Sequence, residues 1–282
     1  MNFHQSPNMF VQHVHLKVKD IHRSLSFYEH IIGFKTLSHQ GSLATLTADG
    51  KNPLLTIEQL KEVEEKTERT AGMYHFALLL PSRADLARIL YHLIQTGQQL
   101  GAADHHVSEA LYLSDPDGNG IEAYVDRPAE SWVWNDEKVY MTTEELEADD
   151  LLAERHNTKW TGLPTDTIMG HIHLHVADLK QTEEFYTKGL GFKSVNRYGR
   201  QALFVSSGNY HHHIGLNTWN GEGVPKPKVN QVGMKYFTLV CPDELKREST
   251  LKQLKEINAY VYKEDGKYFV EDPSGNIIHL KI

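Results

Sequence analysis

The stretch HVHLKVKDIHRSLSFYEHIIGFK, residues 13–35, recurs without a gap as HIHLHVADLKQTEEFYTKGLGFK, residues 171–193. Each copy begins with the alternating pattern of a strand and passes through an aspartate into an amphipathic helix that carries a Phe-Tyr pair. Asp20 and Asp178 stand where a helix N-cap belongs, because a short carboxylate side chain can accept a hydrogen bond from a free backbone N–H group. The repeat therefore predicts a strand–helix unit that the chain uses at least twice.

A second pair of segments repeats in the same way. GMYHFALLLPSRADLARIL (72–90) resembles GMKYFTLVCPDELKREST (233–250), and DPDGNGIEAYV (115–125) resembles DPSGNIIHLKI (272–282). The Asp-Pro-x-Gly-Asn cluster is typical of a turn between two strands, since each of these residues favours a turn conformation. These matches predict two further copies of the unit and show where its last strand begins.

The repeats together predict an α+β fold of four βαβββ modules, each a strand, a helix and three more strands. Modules 1 to 4 span roughly residues 9–60, 72–127, 169–220 and 231–282. In order along the chain, we expect an N-terminal domain of two modules at 9–127, a connector at 128–168 and a C-terminal domain of two modules at 169–282. The connector is polar and is predicted to contain a short acidic helix at about 143–155.

Composition narrows the class of protein. The chain has 282 residues and a formal net charge of −8, which argues against a nucleic-acid partner because such partners favour a basic face. The single cysteine, Cys241, cannot form an internal disulfide. No run approaches the ~20 apolar residues that span a bilayer, and MNFHQSPNMF lacks the basic and apolar segments of a signal peptide. We therefore expect a cytoplasmic protein that binds neither nucleic acid nor membrane, with a monomer and a homo-oligomer both left open.

The patterns HxxLxVxDLxxSxxFY…GF and DPDGNGIE resemble those of the vicinal oxygen chelate superfamily, the glyoxalase, bleomycin-resistance and extradiol-dioxygenase group. The resemblance covers nearly the whole chain outside the connector, and it is closest to two-domain bacterial catechol-2,3-dioxygenase-like proteins. It implies that the modules pair so that their mixed sheets curl into half-barrels around a metal. The motifs are specific for the fold and only suggestive of the reaction.

The resemblance also implies that metal ligands come from the first and last strands of each module. Alternate residues of a strand face the same side, so an alignment of the repeats assigns the inward positions. Those on the first strands are His13, His75, Tyr236 and His171, and those near the last strands are Glu122, His279 and His212. Module 1 has Leu54 or Leu55 at the last-strand position, with Glu58 as a weaker candidate.

Glu122 lies in GIEAYV, which otherwise resembles a buried strand, and a buried carboxylate is costly unless a positive group meets it. Modules 1 and 2 would supply His13, His75 and Glu122. Modules 2 and 3 would supply His75, Glu122, His171 and His212, a full set of four that includes the carboxylate. We therefore expect modules 2 and 3 to face each other, with the pairing through His13 as the alternative. A lysine or arginine beside Glu122, with His75 an ordinary core histidine, is the purely structural interpretation.

Two histidines and one carboxylate on one face, with open positions, suit non-haem Fe(II). We expect one divalent metal, with Fe(II) as the first choice and Mn(II), Zn or Ni as alternatives. A closed set of four ligands would suit Zn or Ni better.

Three residues are candidates for catalysis through the same resemblance. Tyr112 precedes Glu122 by ten residues, a spacing at which extradiol enzymes carry a tyrosine beside the substrate hydroxyl. His105, in DHHVSEALY, resembles a histidine of the same enzymes, although two extra residues separate it from the tyrosine. His212, in HHHI, matches the acid–base histidine of these enzymes through the alignment of the Gly-Asn turns. A neutral imidazole with a pKa near ~6.5 can take a catechol proton and return it. Ordinary strand packing for the tyrosine and solvated loops for the histidines are the structural alternatives.

The first functional hypothesis is a ring-cleaving dioxygenase that takes a small catecholic aromatic and O2. Tyr112, Phe204, Trp219 and Tyr236 are expected to line the site, since aromatic walls suit a planar substrate. A glyoxalase-type isomerase or lyase, in which a metal polarises a carbonyl, is the second hypothesis. A protein that sequesters a small molecule without chemistry, like the bleomycin-resistance relatives, is the third.

Overall fold

The computed structural model describes residues 2–66, 69–156 and 158–282, and it confirms the predicted α+β fold with four βαβββ modules. Module 1 consists of β1 (Phe10–Val18), α1 (Ile21–Phe27), β2 (Lys35–Gln40), β3 (Leu43–Thr47) and β4 (Leu55–Gln59). Module 2 consists of β5 (Gly72–Leu79), α2 (Arg83–Gln95), β6 (Gly101–Asp104), β7 (Ser108–Ser114) and β8 (Gly120–Asp126). The connector contains a 3-10 turn (Ala129–Ser131), the short strands β9 (Trp134–Asn135) and β10 (Lys138–Val139), and α3 (Ala148–Ala153).

Modules 3 and 4 repeat the same order. Module 3 consists of β11 (Ile168–His175), α4 (Leu179–Glu184), β12 (Lys193–Tyr198), β13 (Ala202–Ser206) and β14 (Ile214–Asn217). Module 4 consists of β15 (Gly233–Val240), α5 (Glu244–Glu256), β16 (Tyr260–Glu264), β17 (Lys267–Glu271) and β18 (Ile277–Lys281). The acidic helix of the connector, α3, is shorter than the predicted span of about 143–155.

The two aspartates that open the repeated helices cap them as predicted. The side chain of Asp20 accepts the N–H of Arg23, and that of Asp178 accepts the N–H of Gln181. Helices α1 and α4 both continue into one π-helical turn, Tyr28–Ile32 and Phe185–Gly189 respectively. The first of these turns ends at Gly33, whose φ of 91° favours glycine, and where an added Cβ would lie 2.6 Å from the Cα of Gly162 in the connector.

Two eight-stranded sheets hold all four modules. One sheet has the order β16-β17-β18-β15-β1-β4-β3-β2, and the other has β12-β13-β14-β11-β5-β8-β7-β6. Antiparallel pairing of β1 with β15 joins modules 1 and 4, and antiparallel pairing of β5 with β11 joins modules 2 and 3. The expected pairing of modules 2 and 3 is therefore confirmed. Each sheet combines one module from the N-terminal half with one from the C-terminal half. The division into an N-terminal domain at 9–127, a connector at 128–168 and a C-terminal domain at 169–282 therefore stays a prediction.

The alternation of the first strands separates an apolar face from a histidine-rich face. Val14 and Leu16 of β1 are fully buried, and Ile172 and Leu174 of β11 are buried in the same apolar core. Because successive side chains of a strand point to opposite faces, the intervening histidines of β11 lie on the other side of the sheet. The apolar sides of the two sheets thus share the core, and the other side of the module 2–3 sheet carries the candidate site.

A buried tyrosine in the π-helical turn after α1, and another in the turn after α4, each clamp the Asp-Pro turn of the next module. The hydroxyl of Tyr28, in the Phe-Tyr pair of module 1, donates a 2.8 Å hydrogen bond to Asp115. Asp115 also accepts the N–H of Asn119 and thereby shapes the turn that leads into β8. The equivalent bond runs from Tyr186 to Asp272 at 3.2 Å. The clamp from Tyr28 therefore supports the start of the strand that carries Glu122.

Candidate metal centre and its cavity

Three buried side chains meet on the face of the module 2–3 sheet that lies away from the core. Nε2 of His75 lies 2.9 Å from Oε2 of Glu122, and Nε2 of His171 lies 3.0 Å from the same oxygen. The three residues are 5%, 2% and 1% exposed, respectively. The sheet register explains the meeting, because Ala77 of β5 stands opposite both Glu122 and His171, and its small side chain lets both reach over it.

The electrostatics of this group favour a cation. Burial alone would raise the pKa of Glu122, but the imidazoles of His171 and His75 beside it hold that pKa well below its usual range. Burial lowers the pKa of His171, so that its neutral form, the one that binds metals, is favoured. A buried carboxylate beside the neutral imidazole of His171 leaves a negative centre without a full positive partner.

The hydrogen-bond geometry also fits a metal. His75 Nε2 forms no aligned hydrogen bond although it lies close to the carboxylate, and His171 Nδ1 is buried without a partner. Such orphaned imidazole nitrogens are uncommon in protein interiors, and a bound cation would satisfy the lone pair of His75. Within residues 2–66, 69–156 and 158–282, this is the one group of three potential ligand residues whose ligand atoms lie within 4.8 Å of one another.

A cavity of about 370 Å³ opens over the three residues. The sheet supplies most of its wall, and the connector closes it with Met141, Thr142 and Thr143. The contribution of the connector was missed in the sequence, because a polar linker carries no pattern that indicates what it covers. The remaining lining residues are Tyr74, His75, Ala103, His105, Tyr112, Glu122, His171, His173, Asn196, Tyr198, Phe204, His212 and Trp219.

Tyr112 and His105 form a hydrogen-bonded pair at this cavity. Nδ1 of His105 donates to the carbonyl of Thr142 at 2.6 Å, so its Nε2 accepts the hydroxyl hydrogen of Tyr112 at 2.7 Å. Tyr112 stands directly opposite Glu122 in the pairing of β7 with β8. Burial, followed by the nearby charge of Glu122, raises the pKa of Tyr112 well above its ordinary value. Tyr112 is therefore a neutral phenol with one lone-pair side available to a ligand.

His212 packs against His171, whereas Tyr112 packs against His75. The ring centroid of His212 is 4.2 Å from that of His171, and its Nδ1 lies 2.8 Å from Nδ1 of His211. Burial, followed by the neighbouring imidazoles of His171 and His211, lowers the pKa of His212 well below its ordinary value. The structure thus brings His105, Tyr112 and His212 to the same cavity as the three candidate ligands.

A second histidine of β11 was not singled out in the sequence. His173 lines the cavity, and its Nε2 accepts a 3.0 Å hydrogen bond from the side-chain amide of Asn217. The amide oxygen of Asn217 accepts a 2.7 Å bond from Nδ1 of His175. Gly215 makes room for the ring, since an added Cβ there would lie 2.8 Å from Cγ of His173. The spacing of His171, His173 and His175 at every second residue was the signal that could have identified this face.

His13 lies in the other sheet and does not join His75 and Glu122. Its strand β1 pairs with β15 and not with β5, and its Nε2 bonds the hydroxyl of Thr56 at 2.8 Å. The expectation that Tyr236 lines the same site is wrong for the same reason, since its ring packs against those of His15 and Phe269.

The comparison with known proteins gives the family. The description Glyoxalase/Bleomycin resistance protein/Dioxygenase superfamily belongs to a family model that matches residues 10–123 and 168–280, so the chain belongs to this superfamily. The resemblance inferred from the repeats is thereby confirmed. A curated relative, the catechol-2,3-dioxygenase of Bacillus subtilis (strain 168), is 46% identical over 261 residues, which cover 92% of this chain and 92% of that protein.

Solved structures support the fold. A candidate dioxygenase from Bacillus subtilis subsp. subtilis strain 168 has a TM-score of 0.68 at 11% identity and covers 97% of this chain and 84% of its own. Glyoxalase I from Zea mays has a TM-score of 0.60 at 15% identity, over 96% of this chain and 92% of its own. At these identities, the likeness concerns the fold alone.

Among the described residues, no helix is long and apolar enough to cross a membrane.

Proposed function

We propose that this protein is an extradiol ring-cleaving dioxygenase that acts on a small catecholic aromatic with O2 as co-substrate. The observation that carries the proposal is the convergence of two imidazoles and one carboxylate at a buried point beneath a 370 Å³ cavity. That volume lies in the range of small-molecule sites, about 300–1,000 Å³. The 46% identity to a catechol-2,3-dioxygenase supports the same assignment.

His75, Glu122 and His171 would hold the metal, and His13 has no part in this set. Two histidines and a carboxylate on one face are the ligand set of non-haem Fe(II) enzymes, which makes Fe(II) the preferred ion over Mn(II), Zn or Ni. When bound, Fe(II) supplies the redox chemistry that lets O2 react with an aromatic ring.

The chain's own residues would bind and orient the substrate. A catechol hydroxyl can donate to the oxygen of Tyr112, whose own hydrogen is already given to His105. Nε2 of His212 is the nitrogen left over from its bond to His211, and it can take a proton from the other hydroxyl and later return it to the ring-opened product. Phe204 and Trp219 provide aromatic wall for a planar ring.

The overall reaction balances without a further reductant. Both atoms of O2 enter the product as one ring carbon–carbon bond breaks, and the proton taken by His212 is given back within the same turnover. His212, His105 and Tyr112 therefore remain unchanged at the end of the cycle.

A catechol assay tests the proposal. The protein, purified without oxygen and supplied with Fe(II), should bind about one metal ion per chain and turn catechol into a yellow ring-opened product in air. Glu122→Gln should lose both properties, because the substitution removes the only carboxylate ligand while it keeps the side-chain size. Surface Glu137, whose side chain pairs with Lys193, offers a matched Glu→Gln control.

The glyoxalase alternative predicts a different result in the same experiment. A colourless catechol panel, combined with metal-dependent consumption of a glutathione or bacillithiol hemithioacetal, would favour an isomerase. The geometry supports this alternative less well, because the ligand atoms that lie within 4.8 Å of one another belong to His75, Glu122 and His171 and do not include one from His212.

A further inference from the structure

A hydrogen-bonded chain leads from His212 toward the protein surface. Nδ1 of His212 lies 2.8 Å from Nδ1 of His211, whose Nε2 lies 2.8 Å from Oδ1 of Asp126. His211 is fully buried, whereas the side chain of Asp126 is 21% exposed. Asp126 is the last residue of β8, the strand that also carries Glu122. Two residues that are 85 positions apart in the sequence, Asp126 at the end of β8 and His211 just before β14, thus stand behind His212.

The chemistry of the three groups fixes which nitrogens carry hydrogen. A carboxylate only accepts hydrogen bonds, so Nε2 of His211 carries its hydrogen and donates to Asp126. Nδ1 of a neutral His211 therefore holds a lone pair, and Nδ1 of His212 must be the donor in the contact between them. The hydrogen bond at one imidazole nitrogen determines the state of the other, so Nε2 of His212 is left with a free lone pair.

We propose, on the basis of the proposed dioxygenase function, that Asp126 and His211 are positioning residues for His212. They hold His212 as the tautomer with hydrogen on Nδ1, so that the lone pair of Nε2 is available in the cavity that the residue lines. The other tautomer would present an N–H group to the substrate hydroxyl and could not accept its proton. This arrangement resembles the way in which a buried aspartate orients the histidine of a catalytic triad.

The same hydrogen bonds offer the accepted proton a place away from the centre. When the substrate O–H bond breaks and an N–H bond forms at Nε2 of His212, its Nδ1 hydrogen can move across 2.8 Å to Nδ1 of His211. His212 is then neutral again, and the positive charge lies on His211 beside Asp126. This location moves the charge away from His171, against which His212 packs directly.

Tyr210 supplies a matched control. Its hydroxyl also donates to Oδ1 of Asp126, at 3.2 Å, but it does not take part in the contact between His211 and His212. Tyr210→Phe therefore removes a hydrogen bond to the same carboxylate and leaves the chain to His212 intact. Asp126→Asn keeps the shape of the side chain but lets an amide replace the carboxylate, so that the tautomer of His211 is no longer fixed.

The test combines the tautomer of His212 with steady-state kinetics. Long-range ¹H–¹⁵N spectra of the metal-free protein, with the His212 signals assigned from a His212→Gln sample, should show hydrogen on Nδ1 and none on Nε2. Asp126→Asn should give a mixture of tautomers and lower kcat for catechol by about 10-fold or more, with KM and iron content little changed. Tyr210→Phe should retain the wild-type tautomer and kcat. His211→Gln, which breaks the chain at its middle, should behave like Asp126→Asn.

Two results would overturn the proposal: hydrogen on Nε2 of His212 in the wild-type protein, or an Asp126→Asn variant that differs from wild type no more than Tyr210→Phe does. The tautomer is measured without metal or turnover. A wild-type protein that shows the expected tautomer and yet opens no catechol ring would therefore contradict the proposed function and leave the positioning chain in place.

Discussion

The exchange of His171 and His13 for alanine separates the two pairings that the sequence left open. His171 supplies one of three nitrogen or oxygen atoms around a buried point, and it is 1% exposed. Changes to residues that merely orient a ligand weaken metal binding by about 10–100-fold, so loss of a direct ligand should weaken it by more than about 100-fold. His171→Ala should therefore leave the purified protein essentially without iron.

His13→Ala should have the opposite profile. The substitution breaks a buried 2.8 Å hydrogen bond to Thr56 and removes a largely buried ring, so it should lower the free energy of unfolding by about 1–3 kcal/mol. It leaves the metal group untouched, because β1 lies in the other sheet. Iron content and catechol turnover of the folded protein should remain at the wild-type level.

Both variants can be assayed with the same two measurements. Metal-free protein is titrated with Fe(II) under nitrogen, and metal content is determined after desalting, while urea unfolding of the metal-free samples gives the stability. Loss of iron from His13→Ala together with retention by His171→Ala would refute the module 2–3 site. Equal losses in both variants would refute the separation of the two sheets on which the reasoning depends.

Three further predictions follow from the same geometry. Tyr28→Phe should lower the free energy of unfolding by about 1–3 kcal/mol in urea, because the buried carboxylate of Asp115 loses a donor; no change would mean that the clamp is not stabilising. Tyr112→Phe should keep its iron and lose at least about 10-fold in kcat, because the substrate hydroxyl loses its acceptor; unchanged kinetics would remove Tyr112 from the mechanism. Burial lowers the pKa of His4 to about 4, so its contribution to stability should be complete above pH ~6.5 and should be lost as the pH falls toward 4. Urea midpoints between pH 7.5 and 4.5 should accordingly fall less for His4→Gln than for wild type, and equal falls would exclude His4 as a cause.

The sequence repeats predicted most of the fold and part of the candidate site. The alternating strands, the aspartate caps and the Gly-Asn turns are local signals, so four modules could be predicted from neighbouring residues alone. The partner of β5 is not local, yet the ligand positions indicated it. Two pairings put Glu122 with two imidazoles, but only the pairing of modules 2 and 3 completed the set with His212. The completeness of the ligand set thus acted as a long-range constraint that could be applied to the sequence.

Other parts of the site depend on contacts that leave no trace in local pattern. Thr142 belongs to a polar connector, and its carbonyl orients His105 only because the chain folds back over the cavity. Asn217 has no distinguishing feature in the sequence, and only the pairing of β14 with β11 brings it beside His173. Asp126 ends β8 and resembles a surface residue in the sequence, although it stands behind His211 in the fold. Such residues act through partners that are distant in sequence, so pattern alone could not identify them.

The two sheets use one module plan, and their charges explain why only one of them suits a cation. At the position of Glu122, module 4 carries His279, and at the position of His75 it carries Tyr236. Burial, then the imidazoles of His15 and His279 and the nearby lysines Lys281 and Lys267, lowers the pKa of His13 to about 3. The carboxylate of Glu58 in the same sheet already pairs with His15 at 3.0 Å and with Lys235 at 2.6 Å. A divalent ion at the module 1–4 sheet would thus meet positive neighbours and a carboxylate already engaged, whereas at the module 2–3 sheet it meets the carboxylate of Glu122 beside the neutral imidazole of His171.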